Sequence, residues 1–401
     1  MLRKTDFFID GKWVAPVVAR ELEVINPADE QPFAVISLGS AADVDKAVAS
    51  AQRAFPAWSA TSREERLALL EKLLAAYKRR MRDMAEAISA EMGAPMKLAL
   101  ESQAACGAGH IKSFIQVLRE YEFEEPLDAR NPQERIVREP IGVCGLITPW
   151  NWPMNQVTLK VVPAIAAGCT VVLKPSEIAP MSSIVFAEMM EEAGFPAGVF
   201  NMVNGDGPTV GEAMSRHPGI DMMSFTGSTR AGTAVTRAAA ETVKRVALEL
   251  GGKSPNIVFA DVDLEDAVTR GLAHCFENTG QSCNAPTRML VERLVYDKAV
   301  DIAAKYTSTV KVGQPAEDGD HIGPLSSDIQ FDKVQGMIDA GIKEGARLVA
   351  GGLGRPEGFN RGYFVRPTVF ADVNNDMRIA REEIFGPVLA MIPFETEEEA
   401  I

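Results

Sequence analysis

Residues 141–177 read IGVCGLITPWNWPMNQVTLKVVPAIAAGCTVVLKPSE. A short apolar run, IGVCGLIT, is followed by a proline-punctuated turn. VTLKVVPAIAAG then has helical spacing and ends in glycine, and CTVVLKP is again a short apolar run. Strand, helix and strand in this order, with tight turns between them, form one unit of a parallel sheet. The pattern continues. SSIVFAEMMEEAG reads as a helix, GVFNMVNG as a strand and GPTVGEAMSRH as a helix. IDMMSFTG is then a strand, STRAGTAVTRAAAE a helix, and RVALELGG and NIVFAD are strands. The alternation predicts an α/β fold, a doubly wound parallel sheet of the dinucleotide-binding kind. In such sheets ligands bind beyond the carboxyl ends of the strands.

Upstream, residues 41–118 read as helical. TSREERLALLEKLLAAYKRR (61–80) opens with a capping box, Ser62 to Glu65, and Leu67, Leu70, Leu73, Leu74 and Tyr77 recur at helical spacing. EFEEPLDARNPQERIVREP (122–140) is charged and broken by prolines, and reads as a linker or a protruding hairpin. Downstream, DLEDAVTRGLAHCFENTG and a segment near 329–345 read as helices and RMLVE as a strand. They form a second α/β segment from about 253 to 401. The chain stops at FETEEEAI, which looks like the start of a helix, so a truncated C-terminus is expected.

With 401 residues the chain is too long for one ordinary core, and two domains are expected. The net charge of -14 argues against a nucleic-acid footprint and against a polybasic membrane anchor. No window approaches the roughly 18 unbroken apolar residues of a membrane span. The five cysteines, Cys106, Cys144, Cys169, Cys275 and Cys283, are odd in number and irregular in spacing. That pattern argues against a disulfide framework or a zinc site and for a reducing, cytoplasmic location.

The strand ends carry the chemistry. After IGVCGLIT comes PWNWP, where Asn151 reads as an exposed amide able to donate to a developing oxyanion, or as a turn residue. After CTVVL come Lys174 and Glu177. They would face the same crevice, hold a ribose and a hydroxyl or phosphate, or simply pair with each other. After IDMMSF comes TGSTRAG, whose Gly227, Ser228 and Gly232 open a helix with N–H groups suited to a phosphate. Gly207 lies in GDGPTVG, a turn and helix start and a possible adenine contact, although it is not a GxGxxG motif. Glu249 lies inside the apolar run RVALEL. Burial there would raise its pKa and suit it to general-base work, with a structural ion pair as the plainer reading. Cys283 follows 34 positions later, in the polar loop NTGQSCNAPTR.

At this point the residues match a family. TPWNWP, KPSE, FTGSTRAG, LELGGKSP, GQSCNAPTR and EEIFGPV occur in the order and approximate spacing found in the aldehyde dehydrogenase superfamily, which the chain resembles over essentially its whole length. The resemblance implies a dinucleotide-binding domain over 1–121 and 141–251 and an oligomerisation arm over 122–140. A catalytic domain over 252–401, short at its C-terminus, would complete the chain. It implies that Cys283 attacks an aldehyde and that Asn151 and the Cys283 N–H hold the oxyanion. Hydride passes to NAD, and water activated by Glu249 then hydrolyses the thioester to a carboxylic acid. Lys174 and Glu177 would hold the adenosine ribose, with Trp150 close by in the cofactor site, Gly227 and Ser228 would cradle the pyrophosphate, and Glu383 and Phe385 would position the nicotinamide ribose and ring. Glu177 should repel a 2′-phosphate, favouring NAD over NADP. The small-molecule aldehyde itself is not specified, and a homodimer or homotetramer is expected of the full-length form.

Two other readings stay open. A cofactor-independent cysteine hydrolase or acyltransferase would need a histidine partner for Cys283, drawn from His110, His217, His274 and His321. A catalytically silent scaffold is the second, kept open by the short C-terminus.

Overall fold

The computed structural model describes residues 1–131 and 133–401, and Pro132, within the 122–140 segment, lies outside the described residues. The chain divides into two compact units. The first comprises Met1–Val24, Pro32–Ile88 and Ala99–Glu249; the second comprises Ile25–Gln31, Ser89–Leu98 and Leu250–Ile401. Residues 25–31 and 89–98, expected with the first domain, therefore belong to the second unit.

In the first unit a seven-stranded sheet is built from β1 (Phe7–Ile9), β2 (Lys12–Val14), β3 (Val143–Ile147), β4 (Thr170–Lys174), β5 (Phe200–Met202), β6 (Met222–Gly227) and β7 (Arg245–Leu250). Their spatial order is β7-β6-β3-β4-β5-β1-β2. Strands β6, β3, β4 and β5 run parallel, with Cys144 opposite Val171 and Met222 opposite Cys144. The chain steps from β3 to β4 to β5 on one side, then returns to the other side of β3 for β6. This reversal is the switch point at which doubly wound sheets bind ligands. Strands β3 and β4 are buried along their whole length, as inner strands covered on both faces must be. The edge strand β7 is half-exposed, in strict alternation.

β1 and β2 form a hairpin that adds antiparallel strands at the far edge. Its turn is Asp10–Gly11, both residues with positive φ, 56° and 71°. Asp-Gly favours such a turn, so the signal was present in FFIDGKW.

The main helices of this unit are α1 (Ala41–Ser59), α2 (Arg63–Arg79), α3 (Ala105–Glu120), α4 (Pro153–Ala166), α5 (Met181–Ala193) and α6 (Thr229–Ala240). The expected capping box is present in α2: Ser62 accepts from the Glu65 N–H while the Glu65 carboxylate accepts from the Ser62 N–H at 2.7 Å. A π-helical stretch, Ala99–Ala104, leads into α3. The 122–140 segment holds an antiparallel hairpin, Glu124–Pro126 against Arg135–Val137, tied by an Arg138–Glu125 ion pair.

The second unit carries a five-stranded sheet of β8 (Pro255–Val258), β9 (Arg288–Glu292), β10 (Arg347–Ala350), β11 (Thr368–Ala371) and β12 (Val388–Phe394), in the order β8-β9-β12-β11-β10. All pairs are parallel except β10 with β11. Helices α7 (Leu264–Phe276), α8 (Tyr296–Thr307) and α9 (Asp328–Lys343) accompany it. Two apolar clusters fill this unit. One gathers Val268, Leu272, Met289, Tyr296 and Met391, and the other Val334, Ile338, Phe370, Ile379 and Val388. Each such fully buried side chain contributes about 1.5–3 kcal/mol of transfer free energy. Among the described residues, no helix is long and apolar enough to cross a membrane.

Candidate active site

In the first unit the sequence-predicted residues follow successive strand ends. Asn151 comes just after β3. The exposed amide expected as an oxyanion donor is not found: only 3% of Asn151 is accessible, and its carbonyl accepts a hydrogen bond from Gln103 Nε2 at 3.5 Å. The π-helical stretch before α3 supplies Gln103, whose burial beside Asn151 removes water from that backbone. Trp150, next to it, is half-buried.

At the end of β4, Lys174 is 3% exposed. Its Nζ donates to the carbonyls of Pro175 and Gly205, at 2.8 and 2.6 Å, and pairs with Glu177 Oε2 at 3.3 Å. The ion pair foreseen as a surface feature is thus anchored in the interior at its lysine end. Burial lowers the Lys174 pKa and the Glu177 carboxylate opposes that shift. Beyond β5, Asp206 caps the next helical stretch by accepting from Thr209 N at 2.7 Å, and it pairs with Arg20. Gly207 is exposed, with open space where a Cβ would project. Beyond β6, Ser228 is the exposed N-cap of α6 and accepts from Ala231 N at 3.3 Å, while Gly232 is buried one turn in.

Glu249 departs from expectation. The apolar neighbours that suggested burial lie on an edge strand whose side chains alternate, and Glu249 is on its exposed side. The buried carboxylate expected here is therefore not found. What the sequence reading missed is Lys160. Burial pulls its pKa down to about 8 against the opposing field of Glu249, and its Nζ donates to Ser224 Oγ at 2.9 Å. The signal was a lone lysine in the apolar helix VTLKVVPAIA.

In the second unit, Cys283 follows an unusual stretch of backbone. Asn278, Thr279 and Gly280 are consecutive left-handed residues, with φ of 52°, 56° and 71°. For threonine this is a strained conformation, kept only where the surroundings enforce it. They do so here. Gln281 is fully buried and donates to Asn278 O at 3.1 Å; its Oε1 accepts from Ser326 N at 2.9 Å; Thr279 Oγ1 donates to Gly323 O at 3.0 Å. A Cβ on Gly280 would lie 2.1 Å from Gly386 O. Gly280→Ala should therefore cost about 2–4 kcal/mol in combined dihedral strain and overpacking. Thermal unfolding is the measurement, and an unchanged midpoint would contradict it.

Only Cys106 and Cys283 among the five thiols are partly exposed. Burial pushes Cys106 up to about 12, so it is protonated near neutral pH. Cys169 is held low, first by a hydrogen bond from the Cys144 thiol, but both sulfurs are shut inside the sheet.

Glu383 is half-buried and accepts from Gly252 N at 3.2 Å. Burial raises its pKa, while that hydrogen bond, Lys333 and Lys253 oppose the shift. The glycine pair after LEL serves this contact: a Cβ on Gly251 would stand 2.1 Å from Glu383 Oε2, and one on Gly252 would stand 3.4 Å from Cys283 O. Phe385 has a φ of 61°, and Gln330 Nε2 holds that turn by donating to Ile384 O and Phe385 O at 3.1 and 2.7 Å. Gln330 was also unforeseen, because nothing in SSDIQFDK marks it out from a helix-capping polar residue.

The histidines are largely engaged elsewhere. His110 meets Asn155 Oδ1, His217 pairs with Asp45, and His321 meets Gln314 O. His274 is exposed on α7.

The first unit carries polar residues at its strand ends and the second unit the cysteine loop; comparison with known proteins supplies the class. The aldehyde dehydrogenase family model matches residues 13–401, and the chain belongs to the aldehyde dehydrogenase family. A 3-succinoylsemialdehyde-pyridine dehydrogenase from a Pseudomonas species is 55% identical over 99% of this chain and 82% of its own length. Among solved structures, an aldehyde dehydrogenase from Bartonella henselae superposes with a TM-score of 0.99 at 56% identity, covering 100% of this chain and 84% of that one. A mutant of aldehyde dehydrogenase C from Pseudomonas syringae, in complex with NAD+ and octanal, gives 0.97 at 51% identity, covering 99% and 81%.

Proposed function

We propose that the protein oxidises an aldehyde to a carboxylic acid with NAD as hydride acceptor, with Cys283 as nucleophile and Glu249 as the base for the hydrolytic step. The observation that carries this reading is the loop of Cys283. Three left-handed residues and a buried glutamine fix the backbone that leads into the partly exposed Cys283. Preorganisation of this kind is what a nucleophile requires.

The residues present fit a dinucleotide. Gly207 leaves open space at an exposed helix start, and Ser228 caps a twelve-residue helix whose first N–H groups suit a pyrophosphate. Glu177, anchored by Lys174, would take the ribose diol. Glu383 and Phe385 would hold the nicotinamide end. NAD, when bound, accepts a hydride from the tetrahedral adduct on Cys283. The chain's own work is to form that adduct and then release it. Cys283 Sγ bonds to the aldehyde carbon, and Asn151 donates to the resulting oxyanion from a water-poor setting, where such a bond is strongest. Glu249, exposed and beside Lys160, takes a proton from the water that cleaves the thioester. A relative crystallised with NAD+ and octanal and another named for a semialdehyde substrate support aldehyde oxidation. The partners found for three of the four histidines favour this over a cysteine hydrolase with a histidine base. The exposed 124–137 hairpin, with Leu127, Ile136 and Val137 facing solvent, supports assembly between copies.

NADH release across an aldehyde panel tests the reading, and no reduction of NAD or NADP by any aldehyde would sink it. Cofactor choice has its own test. Glu177→Ser removes the carboxylate that would oppose a 2′-phosphate. The ratio of kcat/KM for NADP over NAD should rise about 10-fold, the size of a partly screened charge contact. A ratio that does not move would remove Glu177 from cofactor selection.

A further inference from the structure

Residues Ala99–Ala104 wind as a π-helix before the chain tightens into α3. Wide turns of this kind are rare and frequently mark functional sites. Here side chains hold the turn in place. Tyr77, fully buried in α2, donates its hydroxyl to Ala104 O at 2.9 Å. Cys106 Sγ donates to Gln103 O at 3.0 Å, and because burial keeps that thiol protonated it remains a donor near neutral pH. Gly107 completes the arrangement. A Cβ there would collide with Tyr77 Oη and stand 3.1 Å from Met154 Cβ, so the missing side chain lets α3 approach both α2 and the first turn of α4. What the turn delivers is Gln103. It is fully buried, and its Nε2 donates to Asn151 O at 3.5 Å, 48 residues away in the chain.

We infer that Gln103 is a positioning residue for the oxyanion donor: its buried amide holds the peptide that follows Asn151, and that peptide sets where the Asn151 side chain points. The inference rests on the reading of Asn151 as that donor. The carbonyl gripped by Gln103 belongs to the 151–152 peptide, so the bond restrains the ψ angle of Asn151 itself. An oxyanion donor is worth most when it needs no reorganisation as charge develops, and a fixed backbone leaves only the side-chain torsions to settle. Gln103 does not touch the reacting atoms in this account. Its effect passes through Asn151, and it falls on the step in which charge forms on the carbonyl oxygen. A glutamine that only fills space between two helices would make the same bond, so stability alone does not separate the two roles.

A double-mutant cycle with Asn151 does separate them. Gln103→Met keeps the length of the side chain and removes the donor. In the unaltered chain it should lower the maximal single-turnover rate of NADH formation from an aldehyde about 10-fold, with the half-saturating aldehyde concentration and NAD binding unchanged. In an Asn151→Ala chain the same substitution should change that rate by less than about 2-fold, because the group it positions is gone. Equal falls in the two backgrounds, or a fall carried by weaker NAD binding, would overturn the proposal. Tyr77→Phe removes only the hydroxyl that locks the π-helical turn. It should repeat the pattern at smaller amplitude, and it decides the matter in the same way if Gln103→Met does not fold. Asn151→Ala by itself reports on the parent reading and should cost about 10²–10³-fold, the scale of one lost oxyanion donor. A chain that keeps its rate without Asn151 would sink that reading, and the role of Gln103 with it, whereas a large loss in Asn151→Ala with additive effects of Gln103→Met would sink the role of Gln103 alone.

Discussion

Replacing Cys283 with alanine is expected to abolish aldehyde-dependent NADH formation, by about 10⁴-fold or more in kcat, the scale on which covalent nucleophiles are lost. The other thiols cannot substitute. Cys144, Cys169 and Cys275 are buried, and Cys106 is held protonated up to about pH 12. The loop should survive the change, because its shape is set by Asn278, Thr279, Gly280 and the buried Gln281 rather than by the sulfur. Cys283→Ala should therefore unfold within about 0.5 kcal/mol of the parent and should still bind NAD. If NADH formation persisted at more than a few per cent of the parent rate, the covalent route through this residue would be wrong.

The second large effect belongs to Glu249. Glu249→Gln keeps size and hydrogen bonding but removes the base. The adduct on Cys283 should still form and give up its hydride, so one equivalent of NADH per active site should appear in a burst. Turnover should then stall, slowed by about 10²–10⁴-fold, the usual worth of a positioned general base. Because Glu249 is exposed on an edge strand, its folded-state role is small, and the substitution should leave the unfolding midpoint nearly unchanged. Equal losses in burst and steady state would show that Glu249 acts before hydride transfer.

How far the sequence carries can be seen at single residues. The strand ends were legible because short apolar runs separated by Gly and Pro leave few alternatives to a parallel sheet. Asn151, Lys174, Gly207, Gly227 and Ser228 all fall just beyond or at the ends of β3, β4, β5 and β6. Burial was less legible. Glu249 and Asn151 were each assigned the wrong exposure, for one reason: exposure depends on a strand's place in the sheet and on what packs over a turn. The run RVALEL reads the same at an edge as in the middle, yet β7 is an edge and Glu249 faces out. Asn151 sits in a turn, yet Gln103 comes over it from 48 residues away. Lys160 and Gln330 escaped notice because their meaning lies in partners distant in the chain, Ser224 and the Ile384–Phe385 turn. The Asp10–Gly11 hairpin could have been read, but strands of three residues carry too little alternation to stand out.

The central claim is that the substrate carbon becomes bonded to Cys283. The most direct measurement is peptide mass mapping of Glu249→Gln, quenched in acid after mixing with NAD and an aldehyde that gives a burst. The account predicts an acyl group, the aldehyde less one hydrogen, on the peptide containing Cys283, at close to one per chain. A burst of NADH with no acylated peptide, or with the acyl group on Cys106 or another residue, would contradict it.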